Sequence, residues 1–227
     1  MPYLFEPKFK NGNPYGENEG DPRNFDSLGM PFLLSPDNAV NTQNVQIIDR
    51  CRREGTSIPG GLLNPLTVTG RGAMPSVFSS GQGNYYVSSA IRDAIEGGAP
   101  NCAAFTEVLV DAEARGEGLL RYYFLVVKAR ACKINWRASA TKKMTYRTLS
   151  GQSVARLPDT SAGPAKLIIT NHLADASPHL WIEGEVSIDG VTYQQYDTHI
   201  YINDALFDEI QHLSRGCLAD AKLGQST

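Results

Sequence analysis

A ten-residue pattern occurs twice in this chain and constrains its fold more than any other feature. Tyr86-Val87-Ser88-Ser89-Ala90-Ile91-Arg92-Asp93-Ala94-Ile95 aligns without a gap on Tyr201-Ile202-Asn203-Asp204-Ala205-Leu206-Phe207-Asp208-Glu209-Ile210. Each copy reads as an aromatic or β-branched strand end, a polar cap and an amphipathic helix. Ser88 or Ser89, and Asn203 or Asp204, are residue types that accept hydrogen bonds from the unpaired N–H groups of a first helical turn. Ile91 and Ile95 lie four apart, as do Leu206 and Ile210, so each pair shares a helical face. Two such junctions imply an α+β fold with two similar strand-to-helix units.

The sheet those helices cover reads as mostly antiparallel. Cys102 to Val110 and Leu119 to Lys128 are strand candidates, joined by the eight residues Asp111 to Gly118 as a hairpin loop. The second strand is apolar on both parities, which argues for a central strand covered on both faces. Leu66 to Thr69 and Ala165 to Thr170 read as further strands. Leu180, Ile182, Val186 and Ile188 alternate with Trp181, Glu183, Glu185 and Ser187, the pattern of a half-buried strand. Asp189-Gly190 then turns the chain into Val191 to Ile202, with a bulge near Gln194-Gln195 where the apolar parity changes. A helix is expected from about Asn41 to Arg53, and the second repeat helix from about Asp204 to Ser214, with a frayed tail after Leu218.

A chain of 227 residues suits one sizeable core, so residues 1–227 read as a single domain. Residues 1–36 hold six of the 13 prolines, yet also carry Tyr3, Phe5, Phe9, Tyr15, Phe25 and Phe32. That stretch reads as a strand, Tyr3 to Lys10, followed by an irregular Pro-rich wrap whose most mobile part is Asn11 to Arg23.

A net charge of −3 argues against a nucleic-acid binder, which carries a basic stripe. No apolar run approaches the ~18 residues of a membrane span, and no signal-peptide pattern opens the chain. Cys51, Cys102, Cys132 and Cys217 are scattered without metal-site spacing and read as reduced thiols. Together these features point to a bacterial-type cytoplasmic protein.

Catalytic chemistry is poorly represented. His172, His179, His199 and His212 include no pair at helical metal spacing. Asp197 and His199 share a strand face and would serve a hydrolase or transferase, with a serine from the Gly-rich loop, but no Gly-x-Ser-x-Gly elbow is present. Gly70-Arg71-Gly72 and Gly81-Gln82-Gly83 complete neither a dinucleotide nor a Walker pattern. No catalytic, cofactor-binding or metal-binding residue is therefore assigned. The candidates for contacting a partner are Asp111, Glu113 and Glu117 on the hairpin loop, whose charge suits a basic protein, and Trp136 and Arg137, residue types enriched at binding hot spots.

The order of motifs resembles a family of bacterial immunity proteins found beside polymorphic toxins, formerly a domain of unknown function. The resemblance spans about residues 77–217. It rests on Val87-Ser88-Ser89-Ala90-Ile91-Arg92-Asp93-Ala94-Ile95, Phe105-Thr106-Glu107-Val108, Tyr122-Tyr123-Phe124-Leu125-Val126-Val127, Asn135-Trp136 with Ser139, and Ile200-Tyr201-Ile202-Asn203-Asp204-Ala205-Leu206. Where many members have an apolar-Arg pair before the last strand, this chain reads Tyr196-Asp197-Thr198-His199. The resemblance implies a non-enzymatic protein whose partner is a cognate protein toxin. An enzyme built on Asp197 and His199, and an assembly protein without a toxin partner, are the competing expectations.

Overall fold

The computed structural model describes residues 2–8, 10–11, 24–25, 27–28, 38–63, 66–68, 73–79, 84–135, 138–148, 151–158, 162–170, 176–184, 186–188, 191–193 and 199–225. In chain order the first half runs β1 (Tyr3–Leu4), β2 (Lys10–Asn11), β3 (Asn24–Phe25), β4 (Ser27–Leu28), α1 (Asn38–Glu54), β5 (Leu66–Val68), β6 (Val77–Ser79), β7 (Tyr85–Val87), α2 (Ser89–Gly98), β8 (Ala103–Asp111) and β9 (Leu119–Val127). The second half runs β10 (Arg130–Ala131), β11 (Thr141–Thr148), β12 (Gly151–Pro158), β13 (Ile168–Ile169), β14 (Leu180–Glu183), β15 (Val186–Ile188), β16 (Val191–Tyr193), β17 (Tyr201–Ile202), α3 (Asp204–Leu213) and β18 (Gly224–Gln225). The fold is α+β with mostly antiparallel pairing. By internal contacts the chain divides into a larger unit, residues 7–128 with 209–219, and a smaller one, residues 1–6, 129–208 and 220–227.

The larger unit is built on an eight-stranded sheet in the order β3-β2-β6-β7-β9-β8-β5-β4. β9 lies between β7 and β8 and is antiparallel to both. Its unbroken apolar run is what that place demands. Tyr122, Phe124 and Val126 enter a core with Ile48 and Cys51 of α1 and with Leu66, Phe78 and Tyr86. Tyr123, Leu125 and Val127 alternate to the opposite face, where they are also buried. α2 packs against β8 and β9. Gly55 ends α1 at φ +66°, and a Cβ there would lie 2.5 Å from the Lys128 Cα, so the position demands glycine twice over.

The smaller unit holds a four-stranded sheet in the order β1-β17-β14-β10. Its core gathers Leu4, Ile134, Leu167, Ile169, Trp181, Tyr201, Ala221 and Leu223. β11 pairs with β12, and β15 with β16, antiparallel in both cases; in the second Ile188 faces Val191, and the expected Asp189-Gly190 turn between them lies outside the described residues.

Both strand-to-helix units form as expected: β7 leads through Ser88 into α2, and β17 through Asn203 into α3. Ile91, Ile95, Leu206 and Ile210 are all buried. Several local expectations need correction. Tyr3 to Lys10 is two short strands in different sheets. Within Ala165 to Thr170 only Ile168–Ile169 is strand, after a 3-10 turn at Pro164–Lys166. Leu180 to Ile188 breaks at Gly184, and Trp181 and Glu183, expected on a solvent face, are buried. The tail past Leu218 is packed rather than frayed, because Ala221 and Leu223 enter the core and β18 pairs with β13. The bulge near Gln194-Gln195 and residues 12–23 of the irregular segment lie outside the described residues.

Candidate functional site

The β8–β9 hairpin carries the three acidic candidates, and its register explains their placement. Asp111 pairs with Leu119 at the end of the ladder. The chain between them closes as a 3-10 turn, Glu113–Arg115, in which the Ala112 N–H donates to Gly118 O at 2.8 Å. Gly116 and Gly118 take positive φ values, which lets so short a segment reverse. The Asp111 carboxylate accepts the Glu113 N–H at 3.0 Å, so it is partly committed to shaping the turn. Glu117 is committed too: its Oε2 accepts the Met74 N–H at 3.0 Å. The neighbouring Arg115 donates to Ala73 O at 3.2 Å, and partial burial pushes its guanidinium pKa down. Glu113 is exposed at the tip.

Behind this tip the outer face of the sheet divides in two. Toward one end Tyr123, Leu125 and Val127 are buried, and the Arg92 guanidinium lies 4.3 Å above the Tyr123 ring. Toward the hairpin the same face carries an Arg121–Glu107 ion pair at 3.3 Å and then two large apolar side chains in the open. Leu109 is 41% exposed and Leu119 65% exposed. Because Leu109 pairs with Arg121 and Asp111 with Leu119, the two leucines are diagonal neighbours on one face, within reach of each other. The sequence carried a signal for this. Leu109 shares its parity with Glu107 and Asp111, opposite to the buried Val108 and Val110, so it stands on the polar side of a half-buried strand. Chemically this surface offers an apolar centre whose rim is acidic on balance, with Glu107, Asp111 and Glu113 against Arg121, which faces Leu109 and pairs with Glu107.

A second polar group was missed altogether. Glu183, 1% exposed, accepts the Trp181 indole N–H at 2.9 Å, the Lys133 N–H at 3.1 Å and the Ile134 N–H at 3.4 Å. Lys133, 3% exposed, donates its ammonium to Pro178 O at 2.8 Å and to Ala176 O, and lies 4.1 Å above the Trp181 ring. These bonds tie β14 to the segment after β10, and they satisfy buried charges that would otherwise be costly. The arrangement is a structural knot, with its donors and acceptors turned on the protein itself.

Of the other candidates, Trp136, Arg137 and Asp197 lie outside the described residues. His199 is half-buried and His212 exposed. Among the described residues no helix is long and apolar enough to cross a membrane. No protein-family profile matches the chain, and no curated protein matches it.

Proposed function

We propose that the chain is a cytoplasmic immunity protein that binds a cognate protein toxin and neutralises it by stoichiometric occlusion, without turnover. The motif order from Val87 to Leu206 supports this reading at the family level. The observation that carries it on the molecule is the hairpin face, where Leu109 and Leu119 stand exposed within an acidic rim. Exposed apolar side chains bounded by charge are what a protein–protein interface desolvates at its centre and hydrates at its rim. A protective complex requires a total buried area of about 1,000 Å² or more and slow dissociation. The acidic rim suits a basic toxin, whose encounter it accelerates.

The test is co-purification of the full chain with an inactivated form of the toxin domain encoded beside it, followed by binding kinetics. A stable equimolar complex is expected. Absence of any adjoining toxin gene, together with no complex, would overturn the reading.

A further inference from the structure

We infer that the chain consists of two copies of one unit, spanning residues 3–111 and 123–225, and that each copy's first strand is exchanged into the sheet of the other copy. The ten-residue repeat is only the most visible part of this relation.

Apart from the edge pair β3–β2, which has no counterpart among the described residues, the strand neighbours agree in order and direction. In the larger unit β2 is parallel to β6, β6 antiparallel to β7, β7 to β9 and β9 to β8; then β8 is parallel to β5 and β5 antiparallel to β4. In the smaller unit β10 is parallel to β14, β14 antiparallel to β17, and β17 to β1. There Tyr3 bridges Lys222 antiparallel, β18 is parallel to β13, and Ile169 bridges Ile134 antiparallel. Every step of the first series has its counterpart in the second.

The registers agree residue by residue. Tyr86 faces Phe78 on one side and Phe124 on the other; Tyr201 faces Trp181 and Leu4. The Phe78–Tyr86 and Trp181–Tyr201 rings are both stacked, with centroids 5.0 and 5.7 Å apart. Glu107 faces Tyr123 as Lys222 faces Tyr3. Setting Tyr3 on Tyr123 brings Lys10 onto Arg130 without a gap, and these pair with Ser79 and Ile182, each one residue past the stacked ring. Extending the ten-residue alignment from Val87 to Glu107 and from Ile202 to Lys222 also needs no gap. It sets buried Cys102 on buried Cys217, and Asn101 on Gly216, which share a left-handed backbone at φ +62° and +85°. The Cys102 and Cys217 carbonyls then accept the N–H groups of Lys128 and Lys8, 2.8 Å in each case, and those lysines also correspond.

Core positions follow. Leu66, Phe78, Tyr86, Val108 and Phe124 of one cluster correspond to Ile169, Trp181, Tyr201, Leu223 and Leu4 of the other. A chance likeness between two strand-to-helix junctions reproduces caps and helical periodicity. It does not reproduce a pairing scheme across strands far apart in sequence.

The exchange is visible in the chain path. β1 precedes β2 as β9 precedes β10. Yet β9 fills the place between β7 and β8 of the first copy, and β1 fills the place between β17 and Lys222 of the second. Neither sheet is complete from its own copy, so withdrawing a first strand opens the sheet of the opposite copy.

The test uses the full chain and hydrogen exchange. Leu4→Pro removes the N–H that donates to Ala221 O at 2.9 Å. Protection should fall at Tyr201–Ile202 and Ala221–Leu223 while Tyr86–Val87 stay protected. Loss at Tyr86–Val87 instead would place β1 in its own copy and overturn the exchange. Should that variant not fold, cysteine pairs decide: Tyr3→Cys with Ile202→Cys should form an intrachain disulfide, and Tyr3→Cys with Val87→Cys should not. Any other pattern overturns the exchange. The copy relation is tested separately by Gly216→Asn, which places at one left-handed position the residue that serves at the other. A fall in Tm of about 2–4 °C is expected, against unfolding if the positions do not correspond.

Discussion

The β7–α2 and β17–α3 junctions share a backbone and differ in how that backbone is finished. In the first, the Ser88 N–H donates to Ser76 O and the Ser88 carbonyl accepts from Arg92; in the second, the Asn203 N–H donates to His179 O and its carbonyl accepts from Phe207. Both helices also close alike, through Ala99 N–H to Ile95 O and Ser214 N–H to Ile210 O, each 2.8 Å. The differences are at side chains. The Asn203 Oδ1 accepts the Leu206 N–H at 3.0 Å, whereas Ser88 makes no side-chain cap bond and its Oγ is buried without a partner among the described residues. The tyrosine on the neighbouring strand is roofed by Arg92 in one case and by Phe207 in the other. Apolar spacing therefore sets the path of the junction, while the cap and the roof are free to diverge.

The largest effect should come where the junctions are alike. Ile95→Asp and Ile210→Asp each place a charge at a fully buried helical position. Each should cost about 4 kcal/mol or more, the range reached when an unpaired charge is buried. Urea melts of the two variants should agree within about 1 kcal/mol. A mild phenotype in one alone would break the equivalence of the helices.

Next come the roofs. The Phe207 ring stacks on Tyr3 with centroids 3.8 Å apart and planes 2° from parallel, and Phe207 is buried. Phe207→Ala should cost about 3 kcal/mol, as large-to-small core changes do. Arg92 remains partly exposed and also pairs with Asp93 at 2.6 Å and Glu96 at 3.8 Å. Its hydrogen bond to Asp93 holds the guanidinium pKa above its usual value, yet a surface cation over an aromatic ring contributes only about 0.5–1 kcal/mol. Arg92→Ala should therefore cost at most about 1 kcal/mol in the same melts. Equal losses would show that the aromatic stack adds nothing beyond covering Tyr3.

The asymmetry between the junctions marks what sequence discloses. Period and parity exposed the helices, the buried β9, the hairpin loop and the Asn203 cap, because each depends on residues close in the chain. The serine cap expected for α2 does not form, since Ser88 makes no side-chain cap bond. The burial of Trp181 and Glu183 was not legible by parity, since it depends on N–H groups of Lys133 and Ile134, about fifty residues away. The duplication was legible only over ten residues for a related reason. In most of its other matches at least one of the two strands, β1, β2, β10, β13 or β18, is only two residues long, and the exchange separates each first strand from the sheet of its own copy. At the candidate site, Glu113 and Glu117 lie on the loop as expected, whereas Asp111, expected to open the loop, is the last residue of β8 and pairs with Leu119. Their unequal freedom follows from Met74, which no local pattern brings beside Glu117. On the hairpin face, Glu113→Gln should leave Tm unchanged and, on the proposed function, lower the association rate with the proposed toxin partner more at low salt than at high salt, measured by stopped flow.

The smallest expected effect on stability, and the sharpest contrast, lies at the caps. Asn203→Ala removes the acceptor of the Leu206 N–H at a buried helix start, so the cost should be about 1–2 kcal/mol. Ser88→Ala removes a hydroxyl that already lacks a partner among the described residues. Deleting a buried, unsatisfied polar atom relieves its desolvation cost, so the change should be neutral or stabilising by a few tenths of a kcal/mol. Ser88→Asn goes further, because it places on α2 the side chain that caps α3. If the two backbones are equivalent, the new Oδ1 falls in reach of the Ile91 N–H, the counterpart of Leu206, and raises stability by about 0.5–1 kcal/mol. Urea melts at neutral pH separate the three variants. Destabilisation by Ser88→Asn comparable to that of Asn203→Ala would mean that the start of α2 is closed by neighbours that α3 lacks, and the equivalence would end at the backbone.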